Sequence, residues 1–303
     1  MTGKIAITGS TGLVGTALCE WLLDNGWEVS RLVRPATDAR YRDGSILWDY
    51  KAKKIDPAKL EGFDAVVHLA GVNIAGGRWT SRYKEAVLRS RADSTRFLSE
   101  VLAGRDKPPK VFISTSAVGF YGNRPAEESV TETSVSGSGF LADVCRQWEE
   151  ATRPAEIAGI RVVQMRLGTV LSRKGGALGK MLPVFQLGLG GIIGTGQQMM
   201  SWIAAEEIPG IVQYVIRTET IRGPVNAVAP HPVSNREFTR ALGKALKRPV
   251  FLPLPAFAVK LMFGEMGEEL LLGGARVVPS VLTKTGYRFR YPDIDAALAA
   301  SLR

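Results

Sequence analysis

The chain begins with the stretch Lys4-Ile-Ala-Ile-Thr-Gly9-Ser-Thr-Gly12-Leu-Val-Gly15. An apolar segment runs directly into glycines spaced three residues apart, and an apolar pattern of helical period follows. This order predicts a β-strand over 4–8, a tight turn, and a helix over 13–25. In such a unit the glycines permit the turn, the approach of a pyrophosphate and close helix packing. The helix N-terminus favours an anion, so we predict a dinucleotide site formed by Gly9, Ser10, Thr11, Gly12, Leu13, Val14 and Gly15.

Strands and helices alternate through the first half of the chain, which is typical of a parallel sheet with right-handed crossovers. Helices are expected over 81–103 and 140–152. Further strands are expected over 27–33, 45–48, 64–69, 111–116 and 161–166. This pattern predicts the α/β class, with a doubly wound parallel sheet of the Rossmann type.

The composition changes after Gly168. Residues 173–200 are rich in glycine but contain many large apolar side chains, so we expect an ordered loop-and-helix segment. We then predict a helix over 202–215, a strand over 224–228, and a helix over 234–247 that begins with a capping box. The expected organisation is a nucleotide-binding domain over 1–168, to which 202–229 returns, and a smaller C-terminal substrate lobe formed by 169–201 and 230–303.

The end of the second predicted strand indicates which nucleotide is bound. An acidic residue there binds the ribose 2′-hydroxyl of NAD, whereas an arginine accommodates the 2′-phosphate of NADP. The segment Val29-Ser-Arg31-Leu-Val-Arg34-Pro35 carries arginines and no acid. A guanidinium can form a bidentate, charge-assisted pair with a phosphate. We therefore predict NADP (NADPH) as the cofactor, with Arg34 as the first choice for the 2′-phosphate and Arg31 as the second, although either could be an ordinary surface charge.

The composition, 45% apolar and 22% charged, is that of an ordinary globular protein. No apolar run approaches the ~20 residues of a membrane span, so we predict no membrane partner and a cytoplasmic location. The net charge is +10, but the basic residues are scattered, which argues against nucleic acid as a partner. Cys19 and Cys145 have no metal-ligand neighbours, and His68 and His231 are far apart, so we predict free thiols and no metal site.

Later motifs carry a family resemblance. The glycine turn is followed by His68-Leu-Ala-Gly71 and by Ser114-Thr-Ser116-Ala-Val-Gly-Phe-Tyr121-Gly122. These segments resemble the extended short-chain dehydrogenase/reductases of the NAD-dependent epimerase/dehydratase type. Four later segments resemble an atypical subgroup, whose members are usually labelled only as epimerase family proteins and carry a C-terminal domain of unknown function: Arg166–Leu171, Leu187–Gly191, Gly196–Ile203 and Thr285–Pro292.

The resemblance implies that residues 9–15 bind the pyrophosphate and that Leu69, Ala70 and Gly71 flank the adenine ribose. It also makes Arg166 a candidate cofactor-binding residue. Ser116 falls at the position of the family's catalytic Ser/Thr, where a hydroxyl can hydrogen-bond a substrate carbonyl oxygen. The hydroxyl could instead satisfy main-chain groups at the end of the strand.

The family's usual proton donor is missing. Active members carry Tyr-x-x-x-Lys on the next helix, and the lysine lowers the pKa of the tyrosine, which otherwise lies near ~10. Matching Glu149 to the family's downstream glutamate places Leu141 and Cys145 at these positions. A shift by one places Ala142 and Arg146 there, again without a phenol.

Other residues are open as substitutes. Tyr121 is a candidate proton donor, although a packing role is equally open. Asp143 lies about 200° around the helix from Leu141 and should face elsewhere. Gln197 and Trp202 could line a pocket between the lobes, or Trp202 could belong to the core.

Two functions of different class follow. One is an NADP(H)-binding oxidoreductase or epimerase acting on an unknown small carbonyl or alcohol substrate, with Ser116 polarising the oxygen and Tyr121 or water carrying the proton. The other is a non-catalytic NADP(H)-binding redox sensor that signals through a partner. A homodimer is left open.

Overall fold

The computed structural model describes residues 3–37 and 44–302. The strands, numbered in chain order, are β1 Lys4–Thr8, β2 Glu28–Val33, β3 Ile46–Asp49, β4 Lys54–Ile55, β5 Ala65–His68, β6 Val111–Ala117, β7 Ser129–Val130, β8 Arg161–Leu167, β9 Thr169–Ser172, β10 Met199–Met200, β11 Trp202–Ala204, β12 Gly223–Ala227, β13 Val233–Ser234 and β14 Arg276–Val277.

The α-helices are α1 Leu13–Asp24, α2 Ser81–Ala103, α3 Phe140–Glu150, α4 Arg153–Ile157, α5 Gly176–Gln186, α6 Ile208–Arg217, α7 Asn235–Leu246, α8 Ala256–Phe263, α9 Glu265–Gly267, α10 Ser280–Thr285 and α11 Ile294–Ser301. Short 3-10 helices cover Pro57–Leu60, Val118–Tyr121 and Ala205–Glu207, and a π-helical turn covers Glu268–Leu272.

The main sheet has the strand order β12-β8-β6-β5-β1-β2-β3-β4. Its strands are parallel except for the antiparallel pair β3–β4. From β1 the chain builds outward first through β2 and β3, and then on the other side through β5, β6 and β8. This reversal beside β1 confirms the doubly wound α/β fold, and it opens a crevice at the carboxyl ends of β1 and β5.

Both faces of the sheet are covered, because successive strand side chains point to opposite sides. Ile5 and Ile7 pack with α1 and α6 on one side, whereas Ala6 and Phe112 pack with α2 on the other. A third apolar cluster joins β9 and β11 to α5, α7 and α11. No helix in the described ranges is both long and apolar enough to cross a bilayer.

The prediction of a helix over 202–215 is wrong at its start. Residues Trp202–Ala204 form β11, which pairs in parallel with β9, and α6 begins only at Ile208. A short apolar run suits a buried strand as well as a helix, and its pairing partner lies far away in sequence. The predicted capping box is confirmed, because Ser234 and Glu237 satisfy each other's main-chain N–H groups at the start of α7.

The edge strand β12 has its outer side covered. The main-chain N–H of Asn226 donates to the Glu132 carboxylate at 3.1 Å, and the Asn226 side-chain amide donates to the Val278 carbonyl at 3.0 Å. Glu132 is itself buried, and it also accepts from the N–H of Val281 at 3.2 Å. The side chain of one loop residue thus takes the place of a further strand at this position.

Candidate functional site

The glycine turn between β1 and α1 is built by close contacts between main-chain atoms. Gly9 has φ +65°, and a Cβ there would lie 2.7 Å from the Leu69 carbonyl carbon. A Cβ on Gly15 would lie 2.2 Å from the Gly9 oxygen, so the third glycine is required by the turn itself rather than by the sheet. Gly12 closes the turn, with its N–H donating to the Gly9 carbonyl at 3.0 Å.

The start of α1 offers free donors to an anion. Its N-cap is Gly12, which provides no side-chain cap, and its first turn, which includes Leu13 and Val14, holds no acidic residue. Ser10 is 1% exposed, and its Oγ has no hydrogen-bond partner within the described part of the chain. Thr11 is exposed at the tip of the turn. Free N–H groups at a helix start, together with glycines that let the main chain approach a ligand, are the features that suit a pyrophosphate.

The two arginines of β2 occupy different environments. Arg31 reaches back to the glycine turn, where its Nη1 donates to the Ser10 carbonyl at 3.0 Å. Arg34 lies just beyond the strand and is exposed. The structure therefore leaves Arg34 accessible to a ligand and gives Arg31 a contact that supports the turn.

A buried hydrogen-bond chain joins the ends of β1 and β5. The Thr8 hydroxyl bonds His68 Nδ1 at 2.7 Å and accepts from the N–H groups of Leu69 and Ala70 at 3.1 and 3.3 Å. His68 Nε2 bonds the Ser94 hydroxyl at 3.1 Å. Burial lowers the pKa of His68 to about 3, so the ring is neutral. The segment predicted to flank the ribose is thus fixed to the strand that carries the glycine turn.

Ser116 lies at the end of β6 and donates to the Glu149 carboxylate at 2.7 Å. Arg166 on β8 binds the same carboxylate through two hydrogen bonds of 2.8 Å, and its guanidinium lies 3.5 Å from the Phe120 ring centroid. A hydroxyl has one proton to donate. In this arrangement Ser116 therefore presents only lone pairs to a further ligand, whereas polarising a carbonyl oxygen would require its proton.

Tyr121 is fully buried beside this group. Its hydroxyl accepts from Arg166 Nη1 at 2.9 Å and donates to Asn226 Oδ1 at 2.7 Å, and burial raises its pKa. The geometry gives Tyr121 a structural contact, and its role as a proton donor stays a prediction. Arg166, predicted to contact the cofactor, is likewise committed to Glu149, with a side chain only 4% exposed.

Leu141, Cys145 and Glu149 lie on the face of α3 that packs against the end of β6. Leu141 abuts Gly119, where an added Cβ would lie 3.2 Å from the leucine Cβ, and the Cys145 thiol donates to the Ala117 carbonyl at 3.6 Å. Burial raises the pKa of Cys145 to about 11, so the thiol is neutral.

The alternative register of α3 places Ala142 and Arg146 at the two positions of the Tyr-x-x-x-Lys pair. Ala142 is buried, whereas Arg146 is exposed and pairs with the exposed Asp143. In neither register does this helix bring a phenol or an ammonium group to the crevice.

A residue that the sequence did not single out stands near the missing lysine. Arg91 on α2 donates through Nη1 to the carbonyls of Val72 and Val87 at 3.0 and 3.1 Å. Its guanidinium packs on the Trp148 ring and lies 3.2 Å from the position that a Cβ on Gly71 would occupy. Its charge acts on Cys145, lowering the thiol pKa against the larger effect of burial. These contacts join residues that are distant in sequence, so the sequence alone does not single out Arg91.

The other residues that the sequence offered are the pocket candidates Trp202 and Gln197 and the possible metal ligands. Trp202 is fully buried in the third apolar cluster and donates to the His231 carbonyl at 3.2 Å, as the core alternative predicted. Gln197 is exposed. Across residues 3–37 and 44–302 no group of three or more His, Cys, Asp or Glu side chains is arranged to hold a metal ion.

Two family models match the chain. The model of the NAD dependent epimerase/dehydratase family covers residues 5–226, and a domain of unknown function, DUF1731, covers residues 254–301. The Mycobacterium tuberculosis epimerase family protein MT2273 is 43% identical over 294 residues, which is 97% of this chain and 96% of the relative. The human epimerase family protein SDR39U1 is 35% identical over 298 residues, covering 97% and 98%.

Solved structures agree with these matches. The crystal structure of human SDR39U1 (isoform 2) with NADPH superposes with a TM-score of 0.88 at 34% identity, covering 98% of both chains. The UDP-glucose 4-epimerase of Thermus thermophilus in complex with NAD gives a TM-score of 0.74 at 17% identity, covering 98% of this chain and 97% of the epimerase, which shows a common fold.

Proposed function

Because the chain belongs to the NAD-dependent epimerase/dehydratase family, we propose that it binds NADP(H) and acts as an oxidoreductase or epimerase on a small carbonyl or alcohol substrate. The observation that carries the binding proposal is the turn of Gly9, Gly12 and Gly15, with the orphaned Ser10 hydroxyl beside it. The NADPH in the similar human structure supports the choice of nucleotide.

The residues that would hold the cofactor lie along the carboxyl ends of neighbouring strands. Residues 9–15 would bind the pyrophosphate, Arg34 the 2′-phosphate with Arg31 supporting the turn, and Leu69–Gly71 the adenine ribose. Arg91 would supply the positive charge that Cys145 cannot. When bound, the nicotinamide supplies or accepts hydride. We propose that Arg166 acts indirectly, by fixing Glu149 and through it Ser116.

Ser116 would accept a hydrogen bond from a substrate hydroxyl, because its own proton is directed to Glu149. Protons would then be exchanged with water rather than with Tyr121, whose hydroxyl is held by Arg166 and Asn226. This assignment differs from a Tyr-x-x-x-Lys mechanism in a measurable way. Tyr121→Phe should leave any turnover within about twofold, whereas Ser116→Ala should reduce it by roughly three- to tenfold, a typical range for one hydrogen bond between neutral groups.

Nucleotide selection can be tested by calorimetric titration with NADPH and NADH. Removing one guanidinium–phosphate pair costs about 1.5–3 kcal/mol, so Arg34→Ala should weaken NADPH binding by roughly ten- to a hundredfold and leave NADH unchanged. Arg89→Ala is the matched control, since Arg89 forms an exposed ion pair with Glu85 on α2. A wild type that prefers NADH, or an Arg34→Ala variant that binds NADPH as tightly as wild type, would contradict the assignment.

A second candidate function is favoured by one observation: both candidate hydroxyls, on Ser116 and Tyr121, are committed to internal partners. A non-catalytic redox sensor would bind NADPH or NADP⁺ selectively and contact a partner protein in only one redox state. NADPH oxidation across a panel of carbonyl substrates separates the two functions. Tight nucleotide binding with no turnover by wild type would support the sensor and remove the enzyme.

We further propose that residues 1–168 with 202–229 form the NADP-binding domain, and that 169–201 and 230–303 form the substrate lobe. This division is supported by β12, which lies within 202–229 and completes the main sheet. A cytoplasmic location, a small-molecule rather than nucleic-acid or membrane partner, and a homodimer as one option for the assembly complete the proposal.

A further inference from the structure

Residues 265–272 are formed by α9 and the π-helical turn, and we call this segment the strap. The Glu265 carboxylate binds Lys84 Nζ on α2 at 2.7 and 3.0 Å. The Glu269 carboxylate accepts from the main-chain N–H groups of Phe140 and Leu141 at 3.1 and 3.3 Å. The strap therefore contacts the first turns of two different helices through two carboxylates four residues apart.

These contacts place the strap over the carboxyl edge of the sheet. Helix α2 follows β5, and α3 follows β6, so both helices begin on the side where the crevice opens. The Phe140 ring lies 5.0 Å from the Trp79 ring and 4.6 Å from Lys84 Nζ, which closes the gap between the two helix starts. The strap thus covers the part of the crevice next to Leu141.

Polar contacts hold the strap to α2 and α3, whereas on its other side it packs against α8, where Gly267 is buried and a Cβ there would lie 2.8 Å from Val259 Cγ1. The π-helical turn has no buried residue, and Gln198 Nε2 donates to the Leu271 carbonyl at 2.8 Å. At its start, Gly264 has φ +57°, and a Cβ added there would meet nothing within 4 Å. Because the contacts with α2 and α3 are polar and the π-helical turn has no fully buried residue, these contacts can break at low cost while the packing on α8 is kept.

We propose that the strap is a lid, kept closed by the Glu265–Lys84 ion pair and by Glu269 at the α3 N-terminus, and that it opens to admit or release the nicotinamide half of the cofactor together with substrate. The proposal rests on the proposed NADP(H) function. The residues that close the lid are distinct from those that would bind the nucleotide phosphates, so closing strength and phosphate affinity can be varied separately.

Hydrogen exchange measured by mass spectrometry reports the closed state directly. The amides of Phe140 and Leu141 have Glu269 as their acceptor, so their exchange rate follows detachment of the strap. Glu269→Ala should accelerate their exchange by about 5- to 30-fold, and Lys84→Glu by about 2- to 5-fold, as expected for hydrogen bonds to a charge and for an exposed ion pair. The double variant Lys84→Glu with Glu265→Lys, which reverses both charges, should restore the wild-type rate of hydrogen exchange.

Lys260→Glu is the matched control. It breaks the 2.6 Å pair between α8 and Glu268, which touches neither α2 nor α3, and should leave these amides unchanged. Faster hydrogen exchange in the control, or no recovery in the double charge-reversal variant, would show that the Glu265–Lys84 and Glu269 contacts do not hold the strap closed.

Stopped-flow fluorescence with NADPH tests whether the strap, held by the Glu265–Lys84 and Glu269 contacts, also controls entry of the cofactor. In Lys84→Glu, which keeps the Glu269 acceptor, association and dissociation rates should rise together by the same factor as exchange, while the affinity for adenosine 2′,5′-bisphosphate, which lacks the nicotinamide half, stays within twofold. Faster exchange with unchanged NADPH rates would make the strap a static brace and overturn the lid alone. If wild type binds no NADPH, the proposed function fails and the lid fails with it.

Discussion

Replacing Gly15 by alanine adds one methyl group at the most tightly packed point of the glycine turn. The new Cβ would stand 2.2 Å from the Gly9 oxygen and 2.8 Å from the Ser10 Cα. Ordinary contact would require a movement of roughly 1 Å. Gly9 cannot move away easily, because it already packs against the main chain of Leu69. A Cβ added to Gly9 would lie only 2.7 Å from the Leu69 carbonyl carbon. The displacement therefore falls on the N–H groups that would bind the pyrophosphate.

Two opposing effects set the magnitude. Alanine favours a helix over glycine by about 1 kcal/mol, whereas overpacking costs about 1–3 kcal/mol or somewhat more when only main chain can move. A net loss of about 1–2 kcal/mol corresponds to a Tm lower by roughly 2–8 °C in a chain of this size. NADPH affinity should fall further, by about tenfold or more, because several donors lose alignment together.

Differential scanning fluorimetry and NADPH titration measure the two effects. The matched control is Gly104→Ala at the C-cap of α2, where φ is −90° and the nearest atom to the new Cβ lies 3.8 Å away. This control should keep wild-type Tm and affinity. The reasoning is refuted if Gly15→Ala binds NADPH within twofold of wild type, since the turn would then have absorbed the methyl group without moving its donors.

Two further predictions concern buried polar groups. Glu149→Gln should cost about 3–5 kcal/mol in urea unfolding because it leaves the Arg166 charge buried without its counter-charge, whereas the exposed neighbour Glu150→Gln should cost almost nothing. Burial lowers the pKa of His68 to about 3, so the unfolded chain, with a value near 6.5, takes up a proton that the folded chain does not. Stability should therefore decrease as the pH falls from 6.5 toward 3, by about 2 kcal/mol at pH 5, and His68→Asn should remove this decrease.

Each of these two predictions has an outcome that contradicts it. A loss below about 1 kcal/mol in Glu149→Gln would mean that solvent reaches Arg166. An unchanged acid dependence in His68→Asn would assign the loss of stability to other groups.

The features that the sequence predicted well are those whose cause is local. The glycine turn, the helix over 81–103 and the capping box at Ser234 depend on residues within a few positions of one another. The strand Trp202–Ala204 was missed because the same apolar run fits either element until its partner β9 is known.

The site beyond the glycine turn could not be derived in this way. Ser116, Glu149 and Arg166 come from three elements, and their hydrogen bonds depend on the packing of α3 against β6 and β8. The sequence showed that a hydroxyl was present, but it did not show which way its proton points. Arg91 was overlooked because its close approach to Gly71 exists only in the folded chain.

The covered edge at β12 bears on how this protein can associate. An exposed edge strand invites a strand from another molecule, which is a common route to continuous sheets across subunits and to aggregation. Within β12 the outward N–H of Asn226 already donates to the Glu132 carboxylate. A second molecule would have to displace a buried carboxylate before it could add a strand there, so assemblies formed at this end of the molecule should use helices or loops rather than an extended sheet.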